Sequence, residues 1–342
     1  MIFFFYLINA FILLLAVGVL LNKAGKEKQL SFSIIVPFRN EESNLSALFS
    51  ALMQIDYSVE LFEILLIDDN STDNSAALAK QFADKHSHIH FFSLEFETGE
   101  LGKKAALTLG AEKAQNEFIV FTDADCQPPS TWLRNYTRFI DQKTGMVVGY
   151  KTQNEKKLFS RFILQASAAI NSATIGLHWP FGATGSNIVL RKSAFVEVGG
   201  FHKVKHHIAG DDMLMVKLIN KTKWKIRYNY LDSVQTSSLT TQKKVYEQQK
   251  RKFSKLHMYS FAFLIVALIM LFYFVSLPFY IIQNNDFIIL ITYTIALLLF
   301  WLAFLYKHKE RFYMIHIIYL LIYPYYVMIF SALGYVFGWK WK

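Results

Sequence analysis

Apolar and polar positions change rhythm along the chain. From Ile2 to Leu21 the run is almost wholly apolar, with the amide of Asn9 and no charge. About 20 such residues suffice for a helix to cross a bilayer. A cleaved leader would carry a basic start and a small-x-small exit, and this segment has neither, so an uncleaved anchor is expected. Over residues 31–150 short β-rich runs alternate with helical spacing. Phe32–Val36, Glu63–Ile67, Ile89–Leu94 and Phe118–Thr122 read as strands. Glu42–Gln54, Ser75–His86 and Lys103–Ala114 read as helices; in the first of these Leu45, Leu48, Phe49 and Leu52 recur on one face. That alternation predicts an α/β fold of βαβ units, with helices on both faces of a mostly parallel sheet. Leu158–Gly176 reads as an amphipathic helix and Met213–Ile219 as a short one. Three long apolar stretches then follow, Met258–Ile282, Phe287–Tyr306 and Phe312–Phe337, with Pro278 and Pro324 at positions that neighbouring membrane helices tolerate.

About four transmembrane helices are therefore expected. The implied organisation is an N-terminal anchor over 1–22, a soluble region over 23–257 and three membrane helices over 258–342. The loop Lys307-His308-Lys309-Glu310-Arg311 is basic, whereas Gln283–Asp286 has no cation. The positive-inside rule places the basic loop, and with it the soluble region, on the cytoplasmic face of the cell membrane. Lys23, Lys26 and Lys28 agree with this orientation; Lys340 and Lys342 run mildly against it.

Composition supports the membrane reading. The net charge is +10, and many of the cations flank apolar segments. Lys243, Lys244, Lys250, Arg251, Lys252 and Lys255, with Tyr246, Phe253 and Leu256, form a basic amphipathic stretch suited to an anionic lipid surface. No aromatic-rich basic groove accompanies the charge, which argues against nucleic acid. The single cysteine, Cys126, excludes an intramolecular disulfide and a zinc cluster, and reads as a buried turn residue.

Two acidic clusters carry the candidate chemistry: Asp68-Asp69-Asn70-Ser71-Thr72-Asp73 and Asp123-Ala124-Asp125. Each closes an apolar strand-like run, and ligands of such sheets bind at the carboxyl ends of strands. Arg39, Asn40, Glu41, Asp68, Asp69, Asp123 and Asp125 are thus expected to converge. On an extended backbone Asp123 and Asp125 face the same side. A hard cation such as Mg²⁺ or Mn²⁺ takes one or two carboxylates and completes its shell with phosphate oxygens. Local roles compete with this reading. Asp125 could cap the helix after Pro128-Pro129, Asn70–Asp73 could form a turn and cap, and Lys103 could sit in a solvated first helical turn.

Eight segments in order resemble glycosyltransferase family 2, the inverting enzymes with a GT-A fold. They are Ile35–Glu42, Ile67–Asp73, Gly102–Leu107, Thr122–Asp125, Gly185-Ser186-Asn187, Gly199-Gly200-Phe201, Gly210-Asp211-Asp212 and Gln248–Lys252. The resemblance covers about residues 31–257 and implies a nucleoside-diphosphate-sugar donor, UDP- or GDP-linked. It implies that Pro37 and the Asp68-Asp69 turn hold the nucleoside, with Asp69 accepting from a base N–H. Lys103 would add positive charge near the diphosphate, and Asp123 and Asp125 would bind the metal. Asp211 and Asp212 match the family's acidic pair, with Asp212 as general base, and both would also cap the following helix. Gln248 and Arg251 resemble the Gln-x-x-Arg-Trp motif of membrane-bound members, on one helix face. Lys252 replaces the Trp, which departs from the pattern expected of processive enzymes.

His206 and His207 lack a ligand partner at metal-binding spacing and read as solvated. His178-Trp179-Pro180-Phe181 is either an acceptor-pocket wall or a membrane-packing segment. The whole reads as a membrane-bound inverting glycosyltransferase acting on a lipid or lipid-linked acceptor. The alternatives are a processive polysaccharide synthase and a catalytically silent membrane scaffold or nucleotide sensor.

Overall fold

In the computed structural model residues 1–98, 102–153, 158–180, 182–201, 211–237 and 261–337 are described. Their helices are α1 (Ile2–Leu21), α2 (Glu42–Met53), α3 (Ser75–Ala83), α4 (Leu94–Thr98), α5 (Lys103–Lys113), α6 (Trp132–Thr137), α7 (Leu158–Gly176), α8 (Lys192–Glu197), α9 (Asp211–Ile219), α10 (Phe261–Asn284), α11 (Phe287–His308) and α12 (Ile315–Phe337). The strands are β1 (Phe32–Phe38), β2 (Phe62–Asp68), β3 (Ile89–Ser93), β4 (Phe118–Phe121), β5 (Cys126–Gln127), β6 (Thr144–Thr152), β7 (Ile188–Arg191) and β8 (Lys225–Thr236). The chain forms two compact units. One comprises Asn22–Lys157 and His178–Ser238; the other comprises Met1–Leu21, Leu158–Leu177 and Leu239–Lys342.

The first unit is built on an eight-stranded sheet of order β3-β2-β1-β4-β7-β6-β8-β5. β1, β2, β3 and β4 run parallel. β7 is antiparallel to both β4 and β6, β8 is parallel to β6, and β5 is antiparallel to β8. The sheet is therefore mixed, not mostly parallel. The βαβ rhythm that predicts parallel strands ends with β4, and the later strands join through other connections. Every residue of β1 and β2 is buried, as strands covered on both faces must be. Phe32, Ile34, Val36, Ile64, Leu66, Phe118 and Val120 pack in one core with Leu45, Leu48 and Leu52 of α2.

Pro37 sits in the middle of this sheet at little cost. The Thr122 N–H donates to the Ile35 carbonyl, so alternate residues of β1 turn their polar groups toward β4. The β4 ladder ends opposite Ile35, and the N–H that Pro37 lacks would have pointed past it. β8 carries an irregularity: Val148 of β6 faces Tyr228, but Tyr150 faces Ser233. The extra β8 residues bulge out of the ladder, and Asp232 among them accepts from Thr131 Oγ1 at 2.8 Å and Asn135 Nδ2 at 2.9 Å at the start of α6. Such a bulge re-aims the strand beyond it, here Val234 to Thr236.

The second unit is helical. α1 packs on α7 and α11. Asn9, the one amide of α1, donates to Thr292 Oγ1 of α11 at 3.1 Å and accepts from Tyr273 Oη of α10 at 3.1 Å. An amide in an apolar environment is thereby satisfied by two neighbouring helices. A Cβ at Gly18 would lie 2.3 Å from the Ala173 carbonyl oxygen of α7, so only glycine permits this crossing. Arg161 of α7 pairs with Glu310 between α11 and α12, both largely buried. α7, expected as an amphipathic helix, buries Phe162 against Trp301 and Tyr319.

α1 and α11 are long and apolar enough to cross a membrane. The apolar stretches Leu268–Asn284 and Ile315–Phe330, within α10 and α12, are shorter. The described residues thus hold two candidate spans where about four were expected.

Candidate active site

The carboxyl ends of β1, β2 and β4 share one edge of the sheet. The loops after β1 and β2 are tied together there. Asn40 Oδ1 accepts from the Thr72 N–H at 2.8 Å, and the Asn40 and Glu41 N–H groups donate to Ser71 Oγ at 3.0 Å and Ser75 Oγ at 2.8 Å. Asn40 and Asn70 both adopt positive φ, a conformation asparagine tolerates. Glu41 accepts from Asn44 Nδ2 at 2.6 Å. Asn40 and Glu41 thus shape the loops. Asp68 and Asp73 make local turn contacts, with the N–H groups of Ser71 (3.2 Å) and Ser75 (3.0 Å) respectively.

Asp69 differs from both. Its backbone N–H donates to the Phe38 carbonyl, and its Oδ1 accepts from the Gly102 N–H at 2.7 Å. Burial raises its carboxyl above the ordinary range, the Gly102 bond and the Arg39 charge oppose that rise, and Asp68 adds to it. Gly102 has φ 98° and ψ 157°, a region open essentially to glycine alone. The next residue, Lys103, donates from Nζ to Asp123 Oδ1. Consecutive residues at the start of α5 therefore contact the acidic ends of both β2 and β4. A helix N-terminus presents free N–H groups and partial positive charge, which suits a phosphate.

Asp123 and Asp125 follow β4. The Asp125 side chain does not cap α6; its Oδ2 accepts from Thr236 Oγ1 at 3.1 Å, and its carbonyl accepts from the Ser237 N–H at 3.1 Å. Ligand atoms of Asp123, Asp125 and Cys126 lie within 4.8 Å of one another. Cys126 is buried and begins β5. Burial pushes its thiol up to about 12, against the pull of Lys151 and with reinforcement from Asp125 and Asp123. A neutral, soft S–H does not suit a hard cation, but the two carboxylates do. The pair fits a divalent ion that takes its remaining ligands from phosphate and water.

Sequence reasoning missed Lys151. It stands near the carboxyl end of β6, and its Nζ lies 3.8 Å from Asp123 Oδ2 and 3.8 Å from Asp125 Oδ1. Burial alone would lower its ammonium, yet Cys126, Asp123 and Asp125 together hold it above the usual lysine range. With Cys126 a neutral thiol at physiological pH, the two carboxylates are the charges it meets. No local signal marked it, because a lysine closing an apolar strand is ordinary. Thr236 was missed for the same reason.

Asp212 opens α9. Its Oδ1 accepts from the Met213 N–H at 2.9 Å and its Oδ2 from the Gly185 N–H at 3.1 Å. Gly185 lies just before β7, whose first residue, Ile188, faces Phe121, the last of β4. Antiparallel pairing thus brings Gly185 to the edge that bears Asp123. In the same segment Asn187 is structural: Trp132 Nε1 and Tyr136 Oη donate to its Oδ1, and its Nδ2 donates to the Tyr150 carbonyl. Asp211 begins the helix beside Asp212. Gln248, Arg251, His206, His207, Gly210 and Phe181 lie outside the described residues.

A mixed α/β sheet with acidic strand ends meeting a glycine-led helix start is a GT-A-like arrangement, the fold class of transferases. The glycosyl transferase family 2 model matches residues 33–199, and the glycosyl transferase family group 2 model matches residues 118–338. The chain belongs to glycosyltransferase family 2. It is 26% identical over 196 residues to a probable glycosyltransferase, YdaM, of Bacillus subtilis, covering 55% of this chain and 46% of that one. It is 26% identical over 226 residues to a beta-monoglucosyldiacylglycerol synthase of Nostoc, covering 64% and 47%. It thus spans about half the length of these relatives. The fold is similar to that of a mannosyltransferase from Pyrobaculum calidifontis, solved in complex with GDP-Man and Mn²⁺, with TM-score 0.61, 15% identity and 96% and 92% of the two chains covered.

Proposed function

We propose that this chain is a membrane-bound inverting glycosyltransferase that moves a sugar from a UDP- or GDP-linked donor to a lipid or lipid-linked acceptor. The observation that carries the reading is the pairing of Gly102 with Asp69 and of Lys103 with Asp123. It ties the nucleoside end and the metal end of one donor to a single helix start. Asp69, with Pro37 and Asp68, would accept from a base N–H. Lys103 and Arg39 supply positive charge toward the diphosphate. Asp123 and Asp125 would hold Mg²⁺ or Mn²⁺, which when bound neutralises charge on the departing diphosphate.

Asp212 takes the proton of the acceptor hydroxyl as its oxygen bonds to the anomeric carbon. The bond from that carbon to the diphosphate breaks on the opposite face, and the configuration inverts. Each Asp212 oxygen accepts one hydrogen bond from the protein, which leaves lone pairs for that proton. Asp211 is its acidic neighbour; Gln248 and Arg251 are assigned to acceptor and diphosphate. Two span-length apolar helices, the basic stretch around Arg251 and the lipid product named for the Nostoc relative support a lipid acceptor. The arrangement proposed is an anchor over 1–22, a cytoplasmic transferase region over 23–257 and membrane helices beyond 258.

Transfer is tested in membranes holding the full chain, with UDP- and GDP-sugars, Mn²⁺ or Mg²⁺ and extracted lipids. Asp212→Asn is expected to lower transfer by about 10²-fold or more while nucleotide binding persists, and Asp125→Ala to abolish metal-dependent nucleotide release. Turnover retained in Asp212→Asn sinks the base assignment. Absence of turnover with every donor, joined by absence of metal-dependent nucleotide binding, favours the silent scaffold.

A further inference from the structure

We propose that Lys151 acts as an internal cation that makes divalent-metal binding at Asp123 and Asp125 conditional on the nucleoside diphosphate. The inference rests on the metal site proposed above and adds a residue and a binding order to it. Lys151 Nζ is 3.8 Å from one oxygen of each carboxylate. Lys103 holds the other oxygen of Asp123, and Thr236 holds the other oxygen of Asp125. Among the described residues, two ammonium groups thus face the two carboxylates.

The two lysines are not equivalent. The Lys103 side chain is 45% exposed and can swing into solvent, whereas that of Lys151 is 12% exposed. Lys151 lies within the β6 ladder opposite Val234, so its backbone has no room to retreat. A divalent ion entering alone meets carboxylates already faced by lysine and drives a buried ammonium away from its counter-charges, which is unfavourable at low dielectric. A diphosphate arriving with the ion supplies new anionic oxygens, and Lys151 exchanges one set of acceptors for another. Metal and nucleotide binding are then positively coupled, and the coupling is reciprocal. Lys151 is a positioning residue in this scheme and takes no part in bond making.

The test is Mn²⁺ binding to the detergent-solubilised full chain, followed by electron paramagnetic resonance of free Mn²⁺, with no nucleotide, with UDP and with GDP. Lys151→Met and Lys151→Gln are expected to bind Mn²⁺ alone about tenfold more tightly than the wild type and to lose most of the nucleotide-dependent gain. Lys151→Arg, which keeps the charge, is expected to keep the wild-type pattern. Unchanged nucleotide-free affinity in a folded neutral variant overturns the proposal. A wild type that binds Mn²⁺ equally well with and without either nucleotide also overturns it. Mn²⁺ binding that persists in Asp125→Ala refutes the metal site itself, a failure separable from that of Lys151.

Discussion

Asn187 takes hydrogen bonds from Trp132 Nε1 at 2.9 Å and Tyr136 Oη at 2.5 Å, and gives one to the Tyr150 carbonyl at 2.7 Å. All four residues are buried. Asn187→Ala removes the acceptor of the buried Trp132 Nε1 and Tyr136 Oη donors, at about 1–3 kcal/mol for each group left unsatisfied. Thermal unfolding of the full chain is expected to fall well below that of the wild type, with donor selectivity unchanged where the variant folds. Asp69 shows the opposite tension. Its folded pKa is raised, so its contribution to stability is present below the ordinary carboxylate value of 3.8 and is lost as pH rises through the folded value. At neutral pH its charge therefore opposes folding. Asp69→Asn keeps an oxygen for the Gly102 N–H and is expected to raise the melting temperature at pH 7.5. That gain should shrink as pH is lowered through the folded value, while UDP and GDP binding weakens at every pH. A gain that grows as pH falls would refute the sign. Both residues stand in motifs visible in the sequence, but their roles were not equally legible. Asp69 follows a strand-like run in a recognisable acidic turn. The hub role of Asn187 depends on Trp132, Tyr136 and Tyr150, which only folding brings near.

Elements with strong local periodicity were legible almost to the residue. β1 to β4 and α2, α3 and α5 fall within a few residues of their expected limits, because each carries its own apolar spacing and turn chemistry. β5 to β8 were not foreseen. β5 is two residues long, and the twelve of β8 are broken by a bulge and only partly buried, so neither shows a clean period of two. At this scale Gly18 is the decisive contact of the helical unit. Gly18→Leu is expected to destabilise the protein by about 1–3 kcal/mol, read as a lower melting temperature in detergent. Val17→Leu, at a position 49% exposed, is expected to leave it unchanged. Equal melting of the two variants would remove Gly18 from that role.

For the whole molecule, the membrane reading predicts how the full chain partitions. Expressed in cells, it is expected to sediment with membranes and to stay there through alkaline carbonate extraction, as a protein held by spanning helices does. Release by carbonate would reduce the association to the surface. Two matters were settled by the sequence alone. The βαβ order and the acidic residues at the ends of β2 and β4 were readable because periodicity and strand-end chemistry are properties of neighbouring residues. The family followed from segments kept in order. The tertiary structure decided the rest: the mixed direction of the sheet, the place of Asp212 beside Gly185, and the buried Lys151 between Asp123 and Asp125. Each depends on which distant strands become neighbours, and strand pairing is set by the total burial and register of the folded sheet, to which no local pattern gives access.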